Sequence, residues 1–390
     1  MPRSAVALFA AVVPLLAVAV VGCGCNTRTP PPPAAVAVPF TDATAAAGIR
    51  FTHQNGAAGK KLLPETMSGG VVVLDYDADG RPDLFFVNGG MWPGATADSG
   101  RDVLYRNAGG GKFEDASKLL PPARPRYAMG GCAADFDNDG FPDLFVTAVG
   151  GNRLYQNVGG KGFDDVTERA GLANSSWPTA AAAAEFERWN RPVSFPSSAA
   201  WLDYDGDGKL DLFVCNYVTW SPANDLAIRA VLPGGVRAYV PPTQFPGTHC
   251  QLFRNLGDGR FREVTFDAGI EVSEPTGMNG AVQPVGKALG VIQCDPDGDG
   301  WPDLLVANDT VRNFFFHNVP DGNGGRKFEE IGLAANAAYS DGRPRGGIGI
   351  DAVYLSGKFA AVIANFSNEP NTLLTLADPN RLLFQDAAAA

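Results

Sequence analysis

Histidine is nearly absent: three residues in 390, His53, His249 and His317, lie far apart in the sequence. That scarcity argues against a histidine-rich metal centre and against a serine-hydrolase triad. No block of Lys or Arg occurs, and 31 basic residues stand against 42 acidic ones, a formal net charge of −11. Phosphate neutralisation needs a basic stripe, so nucleic acid is not an expected partner. Neither GxxxxGK(S/T) nor a GxGxxG opening a helix appears, which removes two common nucleotide-cradling loops. Low complexity is missing as well. The 47 Gly and 30 Pro fall below the roughly 25–30% combined share of disordered chains, and 45% hydrophobic residues are enough for a core.

Met1 to Gly22 carries one early positive charge, Arg3, and an apolar run from Ala5 to Val21, the layout of an export signal. The run is at the lower limit for a membrane span and Pro14 interrupts it, which disfavours a retained helix. Small residues before Cys23 resemble a bacterial lipobox, whose cysteine is lipidated and becomes the mature N-terminus. Cys23 is therefore the expected anchor, its lipid the expected membrane attachment, and the periplasm or cell surface the expected location; secretion is the alternative. Residues 23–38, with a proline run from Pro30 to Pro33, read as the anchor site and a stiff tether. Residues 39–390 are then the folded domain. Export permits disulfides. Cys215 and Cys250 bracket one long insertion between adjacent strands, and pairing them would stabilise by roughly 3 kcal/mol. Cys132 and Cys294 lie in apolar strands and read as buried thiols.

One unit recurs along the rest of the chain. Its first signature is Asp75-x-Asp77-x-Asp79-Gly80-x-x-Asp83, then Asp135, Asp137, Asp139, Gly140 and Asp143, then Asp203, Asp205, Asp207, Gly208 and Asp211, then Asp295, Asp297, Asp299, Gly300 and Asp303. A second signature follows each time: Leu104-Tyr105-Arg106-Asn107, Leu154-Tyr155-Gln156-Asn157, Leu252-Phe253-Arg254-Asn255 and Phe315-Phe316-His317-Asn318, each ahead of a Phe-led acidic segment. Successive copies start 60, 68 and 92 residues apart, and a repeat of this length governs the fold. Within a unit the pattern predicts four short strands, for example over 69–75, 83–88, 102–106 and 112–116, separated by Gly-rich turns. Such units imply an all-β chain, a β-propeller of four-stranded antiparallel blades. A fifth unit, at 347–355, 360–366, 371–376 and 382–386, has lost the acidic signature. Residues 40–45 match a fourth strand, so five blades and one N-terminal strand are recognisable, with no later blade to receive that strand.

The acidic spacing suits Ca2+, which takes roughly six to eight hard oxygens in a flexible shell. Carboxylates at loop positions 1, 3, 5 and 9 converge, and the position-7 carbonyls of Arg81, Phe141, Lys209 and Trp301 with water complete the set. Glycine at position 6 permits the turn. An EF-hand would require Glu at position 12, where Phe86, Val146, Val214 and Val306 stand instead. Ala352, Tyr354, Ser356 and Ala360 replace the ligands in the fifth unit, so about four calcium sites are expected. Sixteen of the 42 acids belong to these loops, so the acidity reads as the apo charge of a metalloprotein.

Together with Phe51-Thr52-His53-Gln54-Asn55-Gly56, Pro64-Glu65-Thr66 and Cys215-Asn216-Tyr217-Val218-Thr219-Trp220, these signatures make the chain resemble FG-GAP/VCBS-type repeat proteins. It is most similar to the cartilage acidic protein and ASPIC/UnbV group. The resemblance covers about residues 39–386 and implies an integrin-α-like seven-bladed propeller, secreted or surface-attached, with calcium in the blades and no established catalysis. The C-terminal ASPIC/UnbV region and the later blades are not recognisable.

Antiparallel strand direction puts the calcium loops at one end of every blade and the excursions over 89–101, 172–197 and 216–249 at the other. Trp177, Trp189, Trp220 and Tyr239 in those excursions either form a face for a protein or glycan ligand, or pack the insertions onto the blades. The competing class is a carbohydrate-active enzyme with a site in the funnel, for which His53 and Glu65 are the acid–base pair available. A scaffold for surface complexes is the third reading.

Overall fold

Short runs rich in valine, leucine and phenylalanine open the first unit, and in the computed structural model the unit builds β1 (Val71–Leu74), β2 (Asp83–Phe86), β3 (Val103–Gly109) and β4 (Lys112–Asp115). The described residues are 40–67, 69–90, 100–122, 126–173, 192–276 and 280–388. Cys23, the tether, Trp177 and Trp189 lie outside them.

The remaining units follow the same plan. Blade 2 holds β5 (Tyr127–Ala134), β6 (Asp143–Val149), β7 (Arg153–Asn157) and β8 (Phe163–Asp165). Blade 3 holds β9 (Val193–Leu202), β10 (Asp211–Trp220), β11 (Gln251–Asn255) and β12 (Phe261–Glu263). A hairpin, β13 (Ser273–Thr276) with β14 (Ala281–Pro284), precedes blade 4, which holds β15 (Ala288–Cys294), β16 (Asp303–Asn308), β17 (Phe314–Pro320) and β18 (Arg326–Glu330). Blade 5 holds β19 (Gly347–Leu355), β20 (Lys358–Asn365), β21 (Thr372–Asp378) and β22 (Leu383–Asp386). Each blade is an antiparallel meander with strands in sequence order. The all-β fold of four-stranded propeller blades expected from the repeat is the observed one.

Neighbouring blades bury their faces against each other. Val72, Phe85 and Leu104 of blade 1 share a core with Leu144, Val146 and Tyr155 of blade 2. Phe145 and Leu154 continue into Trp201, Leu212 and Phe261 of blade 3. Phe213 and Leu252 meet Leu304, Phe314 and Phe316 of blade 4, and Leu305 and Phe315 meet Phe359, Ile363 and Phe384 of blade 5. Both faces of a middle strand are thus covered, which is why β6 and β16 are buried at every residue and read as continuous apolar runs. At an unpacked sheet face the pattern alternates: Val71 and Val73 are 55% and 62% exposed while Val72 and Leu74 are buried.

A turn after the fourth strand sets one blade against the next. Ala170, Ala268 and Ala335 each donate backward by four residues, and their carbonyls accept the N–H of Phe261, Phe328 and Phe384 in the next blade's fourth strand at 2.8–2.9 Å. Residues 171, 269 and 336 then turn with φ of 73°, 74° and 55°. At Gly269 a Cβ would lie 2.3 Å from the Phe328 carbonyl, so a side chain is excluded there. The same turn precedes blade 1, where Ala47 donates to Ala43 and accepts from Phe113. Residues 40–45, expected as a strand, form none: the turn is kept, and among the described residues no strand pairs with the segment leading into it.

Two further boundaries differ from expectation. The excursions over 172–197 and 216–249 begin or end inside β9 and β10, both ten residues long. The β13–β14 hairpin was not foreseen. Its Ser273–Thr276 and Ala281–Pro284 segments lack the apolar alternation that signals a strand and are mostly exposed.

Candidate metal centres

The acidic loops join β1 to β2, β5 to β6, β9 to β10 and β15 to β16, and their backbones are alike. The position-1 carboxylate accepts two N–H groups, from position 5 and from the glycine at position 6, at 2.8–3.1 Å in all four loops. Position 5 accepts the N–H of Arg81, Phe141, Lys209 or Trp301 at 2.9–3.0 Å. Gly80, Gly140, Gly208 and Gly300 have φ between 80° and 92°, a region that side chains disfavour.

Position 9 begins the second strand and is buried: Asp83, Asp143 and Asp211 are 0% exposed and Asp303 1%. One oxygen of each accepts the N–H of the third-strand asparagine, Asn107, Asn157, Asn255 or Asn318, at 2.7–2.8 Å. The other accepts the position-2 N–H of Tyr76, Phe136 or Tyr204 at 3.0–3.1 Å. In the fourth loop position 2 is Pro296, which has no N–H, and Asp303 Oδ2 is left buried without a partner.

These asparagines also explain the second signature. Asn157 Nδ2 donates to Tyr76 O, Asn255 Nδ2 to Phe136 O and Asn318 Nδ2 to Tyr204 O, at 2.8–2.9 Å. Each therefore ties its own loop to position 2 of the loop in the preceding blade. This cross-blade tie was not legible in the sequence, because its ends are 81 to 119 residues apart.

Ligand oxygens of Asp75, Asp77 and Asp83 lie within 4.8 Å of one another, as do those of Asp135, Asp137 and Asp143 and of Asp203, Asp205 and Asp211. In the fourth loop the convergent set is Asp295, Asp297 and Asp299, and Asp303 Oδ1 lies 3.0 Å from His317 Nδ1. Asp79, Asp139 and Asp207 stand outside the first three sets. Oδ1 of Asp77, Asp137 and Asp205 is buried with no hydrogen-bond donor. An orphaned carboxylate oxygen in the same place in three loops, with Asp303 Oδ2 in the fourth, fits a divalent cation that prefers oxygen. Burial pushes the carboxyls of Asp143 and Asp211 up to about 7, and those of Asp83 and Asp303 upward as well. Near neutral pH such groups give up protons when a cation enters.

The aromatics proposed for a ligand face separate sharply. Trp220 is fully buried, and its indole N–H donates to Asp225 Oδ2 at 2.8 Å; it packs the insertion and presents nothing to a ligand. Asp225 is the hub of that region. It opens onto Leu63 N and Arg237 Nη2, each at 2.8 Å, from the short helix α1 (Pro222–Ala227), whose Ser221 and Asn224 form a capping box. Leu62, Leu63, Tyr217 and Trp220 share one core, so the Pro64-Glu65-Thr66 and Tyr217–Trp220 signatures are two halves of a single packing unit. Tyr239 is half-buried, with its hydroxyl 3.3 Å from Glu65 and Lys61 over its ring.

The acid–base pair is likewise committed to structure. His53 Nε2 accepts the Gly69 N–H at 3.1 Å and burial lowers its pKa, while Glu65 is 5% exposed and accepts from Tyr239. Cys215 and Cys250, the expected pair, lie side by side in the core between blades 3 and 4 as free thiols in this structure; burial and the neighbouring Cys250 push the Cys215 thiol well up. Cys132 and Cys294 are free as well, Cys294 buried and Cys132 only partly so. Arg126 lies in a small cleft beside Asn88 and Tyr155, where its ion pair with the equally buried Asp102 neutralises it as an anion site. Among the described residues no helix is long and apolar enough to cross a membrane.

An FG-GAP-like repeat family matches residues 75–146 and 135–188, which takes in the first two acidic loops and their asparagines. No curated protein matches the chain. Among solved structures, a lectin from Agrocybe aegerita that recognises non-reducing terminal N-acetylglucosamine is similar at 15% identity and a TM-score of 0.34. The match covers 80% of this chain and 63% of that one, and a likeness at that level carries no argument about ligand. The chain carries FG-GAP-like repeats, and each of the two matches begins at a carboxylate loop, the first running from that of blade 1 into β6 and the second from that of blade 2 past β8.

Proposed function

We propose that the chain is an exported binding module in which about four calcium ions stiffen a β-propeller and loops at the opposite blade ends engage a protein or glycan. The observation that carries the calcium reading is the recurrence of an orphaned, buried carboxylate oxygen inside loops of identical backbone design. The all-oxygen donor sets favour Ca2+ over Mg2+, whose octahedral demand a flexible loop meets poorly. Residues 1–22 would serve as the export signal, Cys23 as the lipid anchor and residues 23–38 as the tether, placing the module at a bacterial membrane surface.

Separation of the two ends supports the division of labour. In β10, Asp211 lies in the carboxylate loop and Trp220 in the insertion, nine residues on, or about 30 Å along an extended strand. A ligand at the insertion would then meet a rigid platform without touching the ions. With Trp220 buried, Tyr239 and the Trp177 and Trp189 segment carry the binding hypothesis. This reading assigns no reaction, since His53 and Glu65 are both engaged in holding the fold.

Metal analysis of the full chain after equilibration with Ca2+ tests the first half: about four bound ions are expected, and none would overturn it. Screening on glycan and protein arrays with wild type, Trp177→Ala and Tyr239→Ala tests the second. Ligands bound equally by all three forms would remove the proposed face.

A further inference from the structure

The four loops share backbone and carboxylates, but differ in the side chain that leans on them from the third strand. That residue directly precedes the tying asparagine: Arg106, Gln156, Arg254 and His317. Arg106 Nε is 2.6 Å from Asp77 and its Nη2 is 2.7 Å from Asp79, which Arg81 also pairs. Arg254 Nη2 is 2.7 Å from Asp205 and 3.4 Å from Asp207, which Lys209 meets at 2.8 Å. The first and third loops therefore carry two cationic side chains each on positions 3 and 5.

The second and fourth loops have no such cation on positions 3 and 5; in the fourth, His317 Nδ1 lies 3.0 Å from Asp303 at position 9 instead. Gln156, a neutral amide, bonds Asp137, and among the described residues no Lys or Arg pairs with Asp135, Asp137, Asp139, Asp295, Asp297 or Asp299. His317 turns away from positions 3 and 5 to Asp303. The oxygen of Asp303 that Pro296 leaves unpartnered belongs to a side chain only 1% exposed, while the convergent set of this loop is Asp295, Asp297 and Asp299.

We propose that the loops fall into two affinity classes, tight in the second and fourth and weak in the first and third, with Arg106 and Arg254 as built-in counter-ions. The inference rests on the calcium reading of the loops. Calcium affinity follows the net charge of the ligand set, and a guanidinium a few ångströms from the site opposes the incoming ion even where the effective dielectric is high. As calcium rises, the loops of blades 2 and 4 fill first. Those of blades 1 and 3 fill after their arginines are displaced. Because Asn157 ties blade 2 to the loop of blade 1, and Asn318 ties blade 4 to the loop of blade 3, each tight loop is linked to a weak one.

Calorimetric titration of the chelator-stripped full chain with Ca2+ decides it. Two tight and two weaker sites are expected, separated by on the order of tenfold or more in affinity. Arg106→Gln and Arg254→Gln, which install the residue the second loop already has, should each move one site into the tight class. Gln156→Arg should move one out of it. A single class of sites, or classes that none of the three substitutions alters, overturns the proposal and leaves the calcium reading standing. Absence of any calcium binding overturns that reading itself.

Discussion

Blade 4 and blade 5 are neighbours built on the same four-stranded meander, yet the connection between their first two strands is different. Eight residues, Asp295 to Pro302, separate β15 from β16, whereas Ser356 and Gly357 alone separate β19 from β20. Beside each turn the strands pair in register, Cys294 with Asp303 and Leu355 with Lys358, and each pair has a single irregularity at its far end. A carboxylate loop is therefore not needed to make a blade. Its like charges oppose folding, and what it supplies lies between blades: in blades 2 to 4 an asparagine reaches back to position 2 of the preceding loop. Blade 5 lacks that asparagine and instead reaches position 1 of the preceding loop through the Tyr354 hydroxyl, which donates to Asp295 O.

The largest effect expected from this difference is that of chelation. Each site saturated a hundredfold over its Kd adds about 2.7 kcal/mol to the folded state, so removing calcium should lower the melting temperature by on the order of 10 °C or more. An unchanged melt would erase the contrast between the blades. Asn255→Ala comes next. Its side chain donates to Phe136 O and Leu210 O and accepts from Gly257 N, and leaving those groups unpaired costs about 1–3 kcal/mol in denaturant unfolding. Tyr354→Phe, which removes the substitute tie in blade 5, should cost less, about 0.5–1.5 kcal/mol; a loss equal to that of Asn255→Ala would mean that the two ties are equivalent. Val353→Lys is the smallest. Val353 is 49% exposed on the outward face of blade 5 with Leu355 and Phe366, so stability should change by less than about 0.5 kcal/mol. A larger loss would show that this face is covered in solution.

The blades and the loop chemistry were legible because both depend on short-range spacing: alternation within a strand, and four carboxylates with a glycine inside nine residues. The position-9 aspartates were found for their charge, although their burial and their bonds to the position-2 amides were not. What the sequence hid is set by distance along the chain. Asn157 stands in the sequence only as the last residue of the second signature, and its bond to Tyr76 O spans 81 residues. Between a binding face and packing, the sequence leaves Trp220 undecided, because a buried and an exposed tryptophan look alike in a loop-length insertion, and Asp225, the acid that receives its N–H, carries no motif. Residues 40–45 match a fourth strand by alignment to segments that have one; what the structure keeps there is the turn and a backbone bond from Phe113 to Ala47, which no side-chain pattern records. The counter-ions Arg106 and Arg254 sat in view within the second signature, but their bearing on the loops appears only once β3 and β11 lie beside Asp77 and Asp205.

The central claim is that cations in the carboxylate loops lock adjacent blades together. Hydrogen exchange of the full chain with and without calcium tests it most directly. On adding calcium, the amides of Gly80, Gly140, Gly208 and Gly300 and the strand amides of Asn157, Asn255 and Asn318 should gain protection together, while the Ser356–Gly357 turn stays as it was. Equal protection of all five turns in both conditions would contradict the account.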